Sequence, residues 1–138
     1  MHLDYERADI LTKSIIGAAI EVHRDKGPGL IESIYEWCLG CELTLRNLSF
    51  ETQRVVPVTY KGFRREEPLR FDVLVGRCVL VEGKCVDRIQ PIHRAQLLSY
   101  MKLLNVPIGL IFNFRSSILT DEMVRLVLSG ASDPPNPT

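Results

Sequence analysis

Apolar residues Ile10, Leu11, Ile15, Ile16, Ala18, Ala19, Ile20 and Val22 recur with helical spacing between Tyr5 and His23, and Gly27-Pro28-Gly29 then breaks the pattern. This predicts a first helix ended by a glycine turn. A second helical pattern opens at Leu30 and continues through Ile31, Ile34, Tyr35, Cys38, Leu39, Leu43 and Leu45 to Asn47. The period then changes. Val55, Val56, Val58 and Tyr60 are β-rich, Lys61-Gly62 reads as a turn, and an extended segment starts at Phe63 and is clearest over Leu69–Val75. Gly76-Arg77 turns the chain into Cys78–Val86, a short β-branched run interrupted by Glu82 and Lys84, as suits a central strand covered on both faces. Pro91 fits the first turn of a third helix that ends near Asn105; Ile108–Phe114 is another buried-strand signature, and Leu119–Leu128 reads as a last amphipathic helix. The predicted order is helix, helix, three strands, helix, strand, helix: one α/β domain over residues 1–129, with a central mixed sheet flanked by helices and a proline-rich C-terminal tail, 130–138, expected to be disordered.

The strand-turn-strand unit carries the candidate chemistry. If Gly76-Arg77-Cys78 form a three-residue turn, Asp72 lies opposite Glu82 on the ladder, and directly opposed residues share a face. Lys84, two residues beyond Glu82, shares that face too. Two neighbouring carboxylates raise each other's pKa, and a divalent cation removes that cost; hard oxygen ligands suit Mg²⁺ or Mn²⁺. A bound metal can polarise a phosphate ester and an amine can hold the attacking water. The same spacing equally accommodates a Glu82–Lys84 salt bridge at a strand end.

Composition adds bounds. The chain has 138 residues, 46% hydrophobic and 25% charged, with 17 Lys+Arg against 17 Asp+Glu, a formal net charge of zero. That charge excludes coating of nucleic acid or an anionic membrane by bulk attraction and leaves room for a local cationic groove. No apolar run is long enough to span a membrane and the N-terminus lacks a signal-peptide layout, so a soluble, cytoplasmic protein is expected. Cys38, Cys41, Cys78 and Cys85 do not form a convincing zinc pattern and are expected as reduced, mostly buried thiols.

The arrangement Asp72, then Glu82-Gly83-Lys84, resembles the D…(D/E)xK signature of the PD-(D/E)XK nuclease superfamily, whose core is a helix, a three-strand meander, a helix and a strand. Gln96-Leu97-Leu98-Ser99-Tyr100 is similar to the Q-x-x-x-Y element of its RecB-like members. Upstream, Gly29-Leu30-Ile31-Glu32-Ser33-Ile34-Tyr35 resembles the motif that names the GxxExxY family of small prokaryotic proteins in the same superfamily, and the resemblance extends to Ile16–His23, His93–Leu97 and Asn113-Phe114. It implies a metal-dependent nuclease. Asp72 and Glu82 would ligate Mg²⁺ or Mn²⁺ with Glu32 adding a third carboxylate, Lys84 would be the catalytic lysine, Gln96 would help position groups, and Tyr100 would support the site from the next helical turn. Tyr35 is expected to pack, and Gly29 to meet a backbone requirement at the helix start. The sequence departs from the family at Gly83, where a bulky aliphatic, commonly leucine, is usual.

Arg70 and the pair His93-Arg94 are candidates to meet a nucleic-acid phosphodiester, whereas Lys61–Glu67 reads as a solvated hairpin end and His23 as a helix cap. Trp37 and Phe50 are expected as core or partial-surface aromatics. The expected function is hydrolysis of nucleic-acid phosphodiester bonds, DNA before RNA. The alternatives are a catalytically weak nucleic-acid-binding or scaffold domain of the same fold, and a subunit active only in a complex, with a homodimer or a partner protein supplying the second grip.

Overall fold

The computed structural model describes residues 1–134. Helices α1 (Tyr5–Lys26) and α2 (Glu32–Leu45) precede the meander β1 (Phe50–Tyr60), β2 (Phe63–Val75) and β3 (Val79–Lys84). Helix α3 (Pro91–Leu104) crosses over to β4 (Ile108–Asn113), and β5 (Val124–Val127) closes the chain. The five strands lie in sequence order, β3 and β4 parallel and the other neighbours antiparallel. The parallel pair is what the α3 crossover makes possible.

Two cores hold three layers together. On one face of the sheet, Ala8, Ile15, Ala18, Ala19 and Val22 of α1 and Tyr35, Leu39 and Leu43 of α2 pack on Val73, Val75, Val79 and Val81. On the other, Leu97, Met101 and Leu104 of α3 pack on Leu74, Leu80, Ile111 and Val124. β3 and β4 are covered on both sides, and this is why their sequences are continuous apolar runs without strict alternation.

The last predicted helix is not there. Leu119–Glu122 form one short 3₁₀ turn and Val124–Val127 pair with β4, Val124 opposite Ile111 and Val127 opposite Ile108. Val124-Arg125-Leu126-Val127 fits a period of two as well as a helical one, and the free edge of β4 supplies backbone partners that decide between them. Arg125 anchors the strand across the sheet, donating to Asp9 Oδ1 at 2.7 Å and Thr12 Oγ1 at 3.2 Å on α1. Within the stretch expected as a tail, Ala131 is buried and its carbonyl accepts from His2 N–H at 3.0 Å; residues 135–138 lie outside the described residues. No helix among the described residues is long and apolar enough to cross a membrane.

Candidate active site

The turn between β2 and β3 sets the register. Gly76 and Arg77 both have positive φ, Cys78 N–H donates to Val75 O at 3.0 Å, and the first paired residues are Val75 and Val79, a three-residue connection. Pairing continues to Val73 and Val81, so Asp72 and Glu82 come next on their strands. β2 is irregular at that place. Between the pairs Glu51–Leu74 and Gln53–Arg70, β1 contributes Thr52 alone while β2 contributes Phe71, Asp72 and Val73. This bulge re-aims Asp72, which lines both a polar cleft facing α3 and a larger groove facing α2.

The cleft, about 250 Å³, is lined by Arg70, Asp72, Glu82, Lys84, His93, Gln96 and Tyr100, with Phe71 and Leu97 behind them. Asp72 Oδ2 accepts from Gly83 N–H at 2.8 Å, which fixes one carboxylate against the backbone that carries the other. Burial and, next, the nearby Asp72 charge push the Glu82 carboxyl up to about 8, against the opposing effect of Lys84. An acid held this way can be neutralised by a proton or by a cation. The two carboxylates offer hard oxygen donors that fit Mg²⁺ or Mn²⁺. Among the described residues no three His, Cys, Asp or Glu side chains gather as a metal-holding group, so water and substrate oxygens would have to complete the coordination.

Glu32 does not join the pair. It is exposed at the start of α2, and its charge is felt by Glu36 and Cys85. Glu36, one helical turn later and not singled out by the sequence reading, is the α2 carboxylate that senses Asp72; burial and then the Asp72 and Glu32 charges raise its pKa. Its spacing of four from Glu32 was the available signal.

His93 closes a capping box at the start of α3. Its Nδ1 accepts from Gln90 N–H at 2.9 Å, so Nε2 carries the ring proton and is the free donor. Arg94 is exposed and stands outside the cleft lining. His23 is also elsewhere, its Nε2 2.7 Å from Ser116 O.

The upstream motif acts through packing. The Tyr35 hydroxyl donates to Gly27 O and accepts from Leu30 N–H, clasping the turn between α1 and α2. Gly29 in that turn has φ +113°, a conformation that favours glycine. The Tyr35 ring stacks on Phe114, with centroids 4.6 Å apart and planes within 5°. Phe114 covers Gly83: a Cβ built on Gly83 would fall 3.1 Å from Phe114 Cε2. The space of the missing side chain is therefore filled by Phe114. Gly83→Leu is expected to destabilise the protein by about 1–3 kcal/mol, because the Tyr35–Phe114 stack has nowhere to retreat. Urea unfolding checks this, and an unchanged midpoint would mean that Phe114 swings aside.

Asn113 holds the segment after the lysine strand. It is fully buried, donates to Val86 O at 2.8 Å and Glu122 Oε2 at 3.0 Å, and accepts from Val86 N–H at 3.2 Å. The thiols are unpaired, as expected, but only Cys78 is buried; the other three are half-buried because α2 and the end of β3 leave one side open. Trp37 is not a core aromatic: it is 73% exposed, since the buried stripe of α2 runs through Tyr35, Leu39 and Leu43.

The family model of the PD-(D/E)XK nuclease superfamily matches residues 9–126. Among solved structures the chain is similar to one titled "Crystal structure of SSO0001", at 21% identity and a TM-score of 0.50, covering 68% of this chain and 47% of that one. The chain thus spans about half the length of that protein, and the likeness is one of fold. A search of curated proteins finds no match.

Proposed function

Because the chain belongs to the PD-(D/E)XK nuclease superfamily, we propose that it is a metal-dependent nuclease that hydrolyses phosphodiester bonds, DNA before RNA, in the cleft between β2, β3 and α3. One observation carries this reading: Asp72, Glu82 and Lys84 line a single cleft, with Asp72 tied to the backbone of Gly83. An isolated Glu–Lys salt bridge would not need a second acid aimed at the first.

Asp72 and Glu82 would hold the divalent cation, which supplies positive charge to the scissile phosphate and lowers the cost of forming the nucleophile. The protein's own groups do the rest. Lys84 donates to the attacking water or to the developing phosphorane charge, from a half-buried position where such a contact is stronger than in bulk water. Arg70 and the Nε2–H of His93 receive the phosphates flanking the cut, and Gln96 and Tyr100 orient the groups between them. These donors line the same cleft as the acid pair, which supports a substrate backbone passing through it.

Incubating the protein with single- and double-stranded DNA and RNA in Mg²⁺, Mn²⁺ or EDTA tests the reading. Metal-dependent shortening of DNA, absent in EDTA, is the expected result. Intact substrates of all four kinds with both metals would refute it.

A further inference from the structure

The molecule has a second concave surface, roomier than the catalytic cleft. It is an open groove of about 780 Å³ between α2 and the start of the sheet, lined by Trp37, Cys41, Leu45 and Phe50 together with the carboxylates of Glu36 and Asp72. Trp37 and Leu45 are largely exposed there. Phe50 is seated against α2 where Gly40 lacks a side chain, a Cβ at that point falling 3.2 Å from Phe50 Cζ. The groove therefore has one aromatic ring from α2 and one from β1 in its lining and is of the size that small planar ligands occupy.

Its charge decides what enters. Among the described residues no Lys, Arg or His lines it, and Glu36 and Asp72 do, so a phosphate is repelled. A nucleobase is not: its faces stack on aromatic rings, and every base carries an N–H donor for a carboxylate such as Glu36. Asp72 lines both the groove and the catalytic cleft, and β2–β3 pairing stops one residue before it, so a strand whose phosphate lies against Asp72 and Glu82 has the groove within reach of a neighbouring base. A paired duplex keeps its bases stacked inside and presents phosphates outward, which this surface disfavours.

We infer that the Trp37 groove takes an unpaired base next to the scissile phosphate, which makes single-stranded or locally unpaired nucleic acid the substrate of the site. The inference rests on the nuclease reading for its orientation, and it has a readout of its own. Trp37 is the single tryptophan of the chain, so its fluorescence reports the groove alone.

The test uses a cleavage-resistant phosphorothioate oligothymidylate and a phosphorothioate duplex in Mg²⁺, with occupancy followed by anisotropy of a label on the nucleic acid. The single strand is expected to quench Trp37 at matched occupancy and the duplex to leave it unchanged. Trp37→Ala should weaken single-strand binding roughly five- to a hundredfold, the range that loss of one base–aromatic stack produces. Trp37→Phe should restore most of the affinity, and duplex binding should be the same in both. Quenching without cleavage of any substrate would overturn the nuclease reading and keep the groove. Cleavage with a silent Trp37, an equal loss for strand and duplex, or no strand binding at all would overturn the groove. A Trp37→Ala protein that sediments as a monomer where the parent is a dimer would overturn it too, assigning the face to a second copy of the chain.

Discussion

Lys84→Met is expected to lower the single-turnover rate of cleavage by about 10²–10³-fold, the cost of removing one preorganised donor from a developing charge. Metal dependence should change far less, because Asp72 and Glu82 remain. Asp72→Asn should do the opposite in kind. It removes one of the two anionic ligands, so the Mg²⁺ concentration needed for half-maximal rate should rise steeply, with the residual rate at saturating metal still above that of Lys84→Met. Rates measured across a Mg²⁺ series for the two variants separate the roles. The variants should stay folded, since both side chains lie at the solvent-facing edge of the core rather than within either apolar cluster. Retention of full activity by Lys84→Met would reduce that lysine to a counter-charge for Glu82.

The legible parts of this molecule are those governed by a single strong period. The meander, the crossover helix and the buried β4 follow from apolar runs and turn residues, and the shared face of Asp72, Glu82 and Lys84 follows from the length of one turn. The parts that were not legible depend on contacts between distant segments. Nothing in Arg70-Phe71-Asp72-Val73 marks a bulge, yet the bulge lets Asp72 face both the cleft and the groove. Val124–Val127 became a strand because β4 had a free edge. Gly83 looks like a lost core side chain until Phe114, thirty-one residues later by number, is seen lying over it. Tyr35 looks like ordinary packing and is so, but what it packs against is the ring that covers Gly83 on β3. The upstream motif thus bears on the site mechanically, through Tyr35, Phe114 and Gly83, while Glu36, the residue just after it, is the one that senses Asp72 electrostatically.

The acid pair also makes stability depend on pH in an unusual direction. Glu82 titrates near its ordinary value, 4.5, when unfolded and is pushed up to about 8 when folded. Between those values the folded state binds more protons than the unfolded one, so stability falls as pH rises. Below about pH 4.5 both states are protonated and the group contributes nothing; above about pH 8 the full cost is present, a few kcal/mol at most. Metal-free protein in EDTA should therefore melt several °C lower at pH 8.5 than at pH 5.5. Glu82→Gln carries no charge to bury and should lose most of that slope, melting above the parent at pH 8.5. Mg²⁺ should restore the parent at high pH by stabilising the ionised pair, and do little for Glu82→Gln or for the parent at pH 5.5, where protons already occupy the site. A parent whose melting temperature in EDTA is flat or rises across this range would show that Lys84 alone compensates the two acids, and that the site has no need of a cation to stay folded.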